Sequence, residues 1–242
     1  MLFFLLQPFL IYHWILIAAA VIPAVVLMVK VYTSDRIEKE SEGLLIKLIE
    51  AGILSALLAS IEETVGQWIL AGLVPKESPA FNVIMFFVVV AVSEESSKYL
   101  FMKKRTWNNP EFNCQYDGVV YALFTSLGFA LWENISYVLS FGFSTAVVRA
   151  VTAIPGHASF GVFMGVFYGA AKRAEVRGDL TGSRLLRFLG VAAAVLMHGT
   201  YDYLATMENE TGSGYFLIFV VILFVVSYIT VNKASRNDRY LR

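Results

Sequence analysis

The chain has 242 residues, of which 57% are hydrophobic and only 16% charged, with a mean hydropathy of +0.65. That composition excludes a soluble globule and fits an all-α, polytopic membrane protein with a single integral-membrane domain over residues 1–242. The formal net charge is zero, so no basic surface argues for nucleic acid, and Cys114, the only cysteine, excludes internal disulfides and cysteine-rich metal sites.

Seven apolar stretches are long enough for the ~20 residues a bilayer requires. In chain order they predict spans near Phe9–Val29, Leu44–Leu70, Phe81–Met102, Gly118–Leu139, Val151–Ala171, Leu186–Ala205 and Tyr215–Thr230. No Lys or Arg precedes Lys30, so the first stretch lacks the basic leader of a cleavable signal peptide and is expected to remain as a helix. Polar links separate the spans, among them Val74–Pro79, Thr106–Tyr116 and Glu208–Gly214. Sixteen of the nineteen basic residues fall in the first, third and fifth links and the C-terminal tail. The positive-inside rule then predicts a multi-pass protein of the cell membrane with its N-terminus outside and its C-terminus in the cytoplasm.

The third span carries Ser93-Glu94-Glu95-Ser96-Ser97-Lys98 after an almost unbroken apolar run. An ionised side chain at the bilayer centre costs roughly 2.5–3.5 kcal/mol on insertion scales, so such residues are functional by default. Lys98 lies four residues after Glu94 and three after Glu95, within reach of both on a helix. The two glutamates point about 100° apart and are expected to do different jobs. Glu133 and Asn134 fall in the fourth span, His157 in the fifth, and His198 and Asp202, four apart, in the sixth. In the fifth, Ala153, His157, Gly161, Gly165 and Gly169 recur every four residues, which puts His157 on a closely packed face.

Each feature alone has a plain structural reading: a buried ion pair, a hydrogen-bonded core histidine, a polar helix-packing pair. Their coincidence in one small bundle points to hydrolysis. A buried carboxylate can take a proton from water, and His or Asn can stabilise an oxyanion. Alternatively carboxylates and imidazoles, with Glu95, Glu133, His157 and His198 as the candidate set, hold a divalent metal such as Zn²⁺ with a position open for water. Glu62 and Glu63 in the second span either line the same cavity or lie near the outer surface.

Several motifs in order resemble the PrsW intramembrane proteases: Glu94-Glu95-x-x-Lys98, Tyr116-Asp117-Gly118-Val119-Val120-Tyr121, Ser126-Leu127-Gly128-Phe129-Ala130, Glu133-Asn134, Val148-Arg149-Ala150, His157, and His198-Gly199-x-Tyr201-Asp202. Asp35 in the first link is similar as well. The resemblance belongs to a wider glutamate-dependent group that includes the CAAX prenyl proteases. It implies peptide-bond hydrolysis in a membrane-anchored substrate, such as site-1 cleavage of an anti-sigma factor. Glu94 and Glu95 would activate water, His157 and His198 would complete the catalytic set, and Lys98, Glu133, Asn134 and Asp202 would support it. Two rival readings use the same residues: a transporter or proton-binding protein, and a CAAX-type prenyl protease. Counting ~1.5 Å per residue from the outer helix ends places Glu133, His157 and His198 about 10 Å deep but Glu94 about 20 Å deep. A shared site therefore requires the third helix to shift, and predicts an outward-opening cavity with Glu94 or Glu95 at its floor.

Overall fold

The computed structural model describes residues 2–241 apart from residue 208, and side chains from residue 11 onward. Residue 208, the first of the expected 208–214 link, lies outside this set. Seven spans are long and apolar enough to cross a membrane. They are α1 (Leu2–Ser34), α2 (Glu42–Leu73), a composite third span, α5 (Asp117–Phe141), a composite fifth span, α8 (Leu180–Ala205) and α9 (Glu210–Arg236). The third joins α3 (Pro79–Ile84), a π-helical segment (Met85–Val90) and α4 (Ala91–Thr106), and the fifth joins α6 (Phe143–Val151) and α7 (Ala153–Val176).

The helices outrun the predicted apolar stretches because polar caps, rather than loss of hydropathy, end them. The Ser41 hydroxyl accepts the Leu44 N–H at 3.3 Å. Ser78 caps α3 directly before Pro79, and the Asp179 carboxylate accepts the Gly182 N–H at 2.7 Å. Asn209 caps α9 through the Gly212 N–H at 2.6 Å, which shortens the expected link.

Helix α5 is the centre of the bundle: every residue from Asp117 to Ala130 is buried, beneath α1, α2 and α7. Glycines set how closely its neighbours approach. A Cβ on Gly52 of α2 would lie 2.1 Å from the Thr125 carbonyl oxygen, and one on Gly165 of α7 would lie 2.5 Å from the Gly118 carbonyl oxygen. The four-residue repeat of α7 is thus the packed face, as its spacing predicts, and His157 continues it.

Two local breaks position the site. The predicted fifth span begins at Val151, but the chain is already helical from Phe143 and breaks instead at Thr152. Pro155 has no N–H for the Val151 carbonyl and its ring crowds that oxygen, so one helix cannot run through. Helix α6, predicted as link, consequently holds Arg149 over the bundle. In the third span the wider π turn, Met85–Val90, resets the register of α4 ahead of Glu94. At the opposite end the C-terminal tail folds back on the α4–α5 link, with Gln115 N–H on the Arg239 carbonyl at 3.0 Å and Leu241 N–H on the Asn113 carbonyl at 2.8 Å.

Candidate active site

Helix α4 places Glu94, Glu95 and Lys98 on its buried side, as the three- and four-residue spacing requires. Lys98 Nζ lies 3.0 Å from Glu94 Oε2, 2.7 Å from Glu95 Oε1 and 3.2 Å from His157 Nδ1. The Phe129 ring of α5 covers the ammonium at 3.9 Å. An ammonium cannot accept a hydrogen bond, so His157 Nδ1 accepts and its proton sits on Nε2, which donates to Glu133 Oε2 at 2.8 Å. His198 of α8 meets Glu95 Oε1 through Nδ1 at 2.9 Å and Asp202 Oδ2 through Nε2 at 3.4 Å. Its ring stacks on Phe160, centroids 4.8 Å apart.

The two glutamates are inequivalent, as their 100° divergence anticipates. Glu94 lines a cavity of about 230 Å³ together with Glu63, Glu133, Arg149, His157 and His198. That far exceeds the ~15 Å³ one water needs. Glu95 is fully buried behind the cavity, and its Oε2 has no hydrogen-bond partner. Tyr137, Tyr201 and Asp202 complete the wall on the side of the α5–α6 turn and the α8 C-terminus.

Asn134 departs from the expectation. It is buried but turned away from the cavity: its Nδ2 donates to the Ala20 carbonyl of α1 at 2.9 Å, and its Oδ1 accepts from Arg149 Nε at 2.8 Å. Arg149 in turn grips Glu133 Oε2 at 2.8 Å and lies 4.0 Å over the Tyr137 ring. Asn134 therefore acts on the site only through Arg149. Arg149, quoted only as part of a motif and given no role, belongs to the cavity, and of the two readings left open for Glu63 the cavity-lining one holds. Glu63 had a sequence signal: it continues the buried stripe Gly52, Ala56, Ala59 at helical spacing. Glu62 turns aside and accepts from Ser97 Oγ at 3.1 Å.

Metal-capable donors regroup as well. Glu94, Glu95, His157 and His198 offer ligand atoms within 4.8 Å of one another, all buried, so Glu94 takes the place expected of Glu133. Glu133 stands one step back. His198 presents Nδ1 to Glu95 and His157 presents Nδ1 to Lys98 between the glutamates, while each Nε2 is anchored on a carboxylate, Asp202 or Glu133, the pattern in which an outer carboxylate orients a metal-bound imidazole. Together with the unpartnered Glu95 oxygen, this donor set fits a divalent metal, with the Lys98 ammonium competing for three of the four donors.

The model of the PrsW family, intramembrane metalloproteases, matches residues 40–229. Protease PrsW of Geobacillus kaustophilus is 33% identical over 226 residues, covering 93% of this chain and 94% of the relative. Protease PrsW of Oceanobacillus iheyensis is 30% identical over 92% of this chain and 97% of its own length. Protease PrsW of Bacillus subtilis is 27% identical over 90% and 95%. No solved structure matches the chain.

Proposed function

Because this chain belongs to the PrsW family of intramembrane metalloproteases, and so is a membrane-embedded protease, we propose that it hydrolyses a peptide bond of a membrane-anchored protein with water activated at Glu94. The observation that carries this reading is the meeting of two imidazoles from α7 and α8 with the Glu94–Glu95 pair beside a cavity. Glu94 faces the cavity and is the base that takes a proton from water. Glu95, bonded to His198 Nδ1, and Asp202, near Nε2, set the orientation of that ring. Lys98 offsets the charge of two adjacent carboxylates, which would otherwise repel at this spacing. Glu133, gripped by Arg149, holds His157 in one tautomer. A divalent metal held by Glu95, His157 and His198 would leave Glu94 free as the base, and would supply Lewis-acid activation of water and polarise the scissile carbonyl.

The charge pattern supports an N-out, C-in orientation in the cell membrane, which turns the cavity towards the extracytoplasmic side. The cut then falls in the outer part of the substrate's span, as site-1 cleavage of an anti-sigma factor requires. Purified protein in detergent, given a single-span substrate, should yield two fragments whose masses place the cut there. An intact substrate, with proton or solute flux in liposomes, would favour the transporter reading. Cysteines introduced at Asn109 and at Gly214, where an added Cβ meets nothing within 4 Å, should label from opposite sides of the membrane. Labelling from one side would overturn the orientation.

A further inference from the structure

One part of the family-like pattern takes no part in the cavity. Asp35 and the Tyr116–Tyr121 motif lie at the other end of the bundle, where the C-terminal tail folds back. Three contacts bring the segments together. Ser235 Oγ donates to the Ser34 carbonyl, and Tyr116 OH reaches the Val31 carbonyl at 3.4 Å. Asp238 Oδ1 accepts the Tyr116 N–H at 2.8 Å. Asp35, Asp117 and Asp238 therefore converge, and Glu40 joins them from the start of α2.

Asp35 and Glu40 are each 5% exposed and Asp117 1%. Both Asp35 oxygens, Glu40 Oε2, Asp117 Oδ1 and Asp238 Oδ2 are buried without a hydrogen-bond partner. The Tyr121 hydroxyl, on a fully buried side chain, faces Glu40 and Asp117, with Glu40 the one hydrogen-bond partner in its reach. None of the four carboxylates forms an ion pair among the described residues. Lys39, next to Glu40 in sequence, donates to the Tyr32 carbonyl at 2.8 Å rather than to a carboxylate of the cluster. Burial, then the neighbouring Asp238, pushes the Asp35 carboxyl up to about 6. Burial, then Asp117, pushes Glu40 up to about 9.

Asp117 Oδ2 and Asp238 Oδ1 each accept two backbone N–H groups, but five buried oxygens on four carboxylates with no ion pair are costly unless something positive sits among them. We infer that this pocket of Asp35, Glu40, Asp117 and Asp238 binds a hydrated hard divalent cation, Mg²⁺ or Ca²⁺, which clamps the α1–α2 link, the start of α5 and the C-terminal tail. The donors are all oxygens, the preference of hard cations. Mg²⁺ keeps several waters and needs only one or two direct carboxylates, so the side chains need not close tightly on one point.

The test uses the full chain in detergent, stripped with chelator. Millimolar Mg²⁺ or Ca²⁺, against NaCl of matched ionic strength, should raise Tm by about 3 °C. The rise should persist in Glu95→Gln, which disables the other donor set, and vanish in Asp35→Asn and Glu40→Gln. Those two variants, relieved of a buried charge, should match or exceed the cation-free protein in Tm. No rise in the parent protein, a rise retained in both Asp35→Asn and Glu40→Gln, or a rise lost in Glu95→Gln would each overturn the inference. Should neither charge variant fold, equilibrium dialysis with radiolabelled Ca²⁺ decides it. One ion per chain, retained in Glu95→Gln, supports the site, and no bound Ca²⁺ in a protein whose Tm also ignores Mg²⁺ overturns it.

Discussion

Two ends of the same bundle bury carboxylates in opposite ways. Around the cavity, carboxylates interlock with cations and imidazoles: Lys98 on Glu94 and Glu95, His198 on Glu95, Arg149 and His157 on Glu133. At the far end Asp35, Glu40, Asp117 and Asp238 gather with no ion pair among the described residues. Burial is similar, but compensation is not. Removing one partner from an interlocked set strands a charge, whereas removing one member of a like-charged set relieves repulsion. A substitution that strands a charge at the cavity should thus cost far more stability than one that removes a carboxylate at the far end.

The largest effect is expected on activity at the cavity. Glu94→Gln keeps size and hydrogen bonding but removes the base, and should lower cleavage about 10²–10⁴-fold with Tm held or raised. Cleavage at near the parent rate would end the proposal for Glu94. Next in size is Lys98→Met, which leaves two adjacent carboxylates buried without their cation. It should destabilise by about 3–5 kcal/mol, read by thermal or denaturant unfolding. Adding Glu95→Gln to it should recover part of that loss, and strict additivity would show that the pair does not interact. Lys98→Met should also raise metal occupancy in elemental analysis, because the ammonium no longer competes for the donors.

A smaller effect is expected at Asn134, which ties α1 to α6. Asn134→Ala strands the Ala20 carbonyl and frees one edge of Arg149, and should cost about 1–3 kcal/mol. Cleavage should fall less than in Glu94→Gln, since Arg149 keeps Glu133. The smallest effect is at the far end, where Asp35→Asn without divalent cation should change stability by at most about 1 kcal/mol, towards greater stability. A loss as large as that of Lys98→Met would erase the contrast between the two ends.

Much of this was legible in the residues taken one at a time. The seven spans follow from hydropathy, and Glu94, Glu95, Glu133, His157, His198 and Asp202 stand out because a polar group in hydrocarbon is costly wherever its helix packs. The pairing of Lys98 with both glutamates follows from helical spacing alone, and the glycine repeat announced the packed face of α7. What the sequence hid depended on register and crossing. The counted depth difference did not keep Glu94 from His157 and His198, whose ligand atoms lie within 4.8 Å of its own, and Arg149 reaches Glu133 from α6, a helix where the sequence predicts a link.

The sequence by itself determined which residues must be inside the membrane and which of them need partners, since insertion cost and local helical period are properties of short stretches. Tertiary structure decided who the partners are. Asn134, adjacent to Glu133, turned to α1 instead of the cavity, Glu63 turned into it, and Asp35 met Asp238 from the other end of the chain. A difference of one position on a helix rotates a side chain by about 100°, so neighbours in sequence part company while residues two hundred apart converge, as Ser34 and Ser235 do here. Only the packing of all seven spans around α5 selects among those directions.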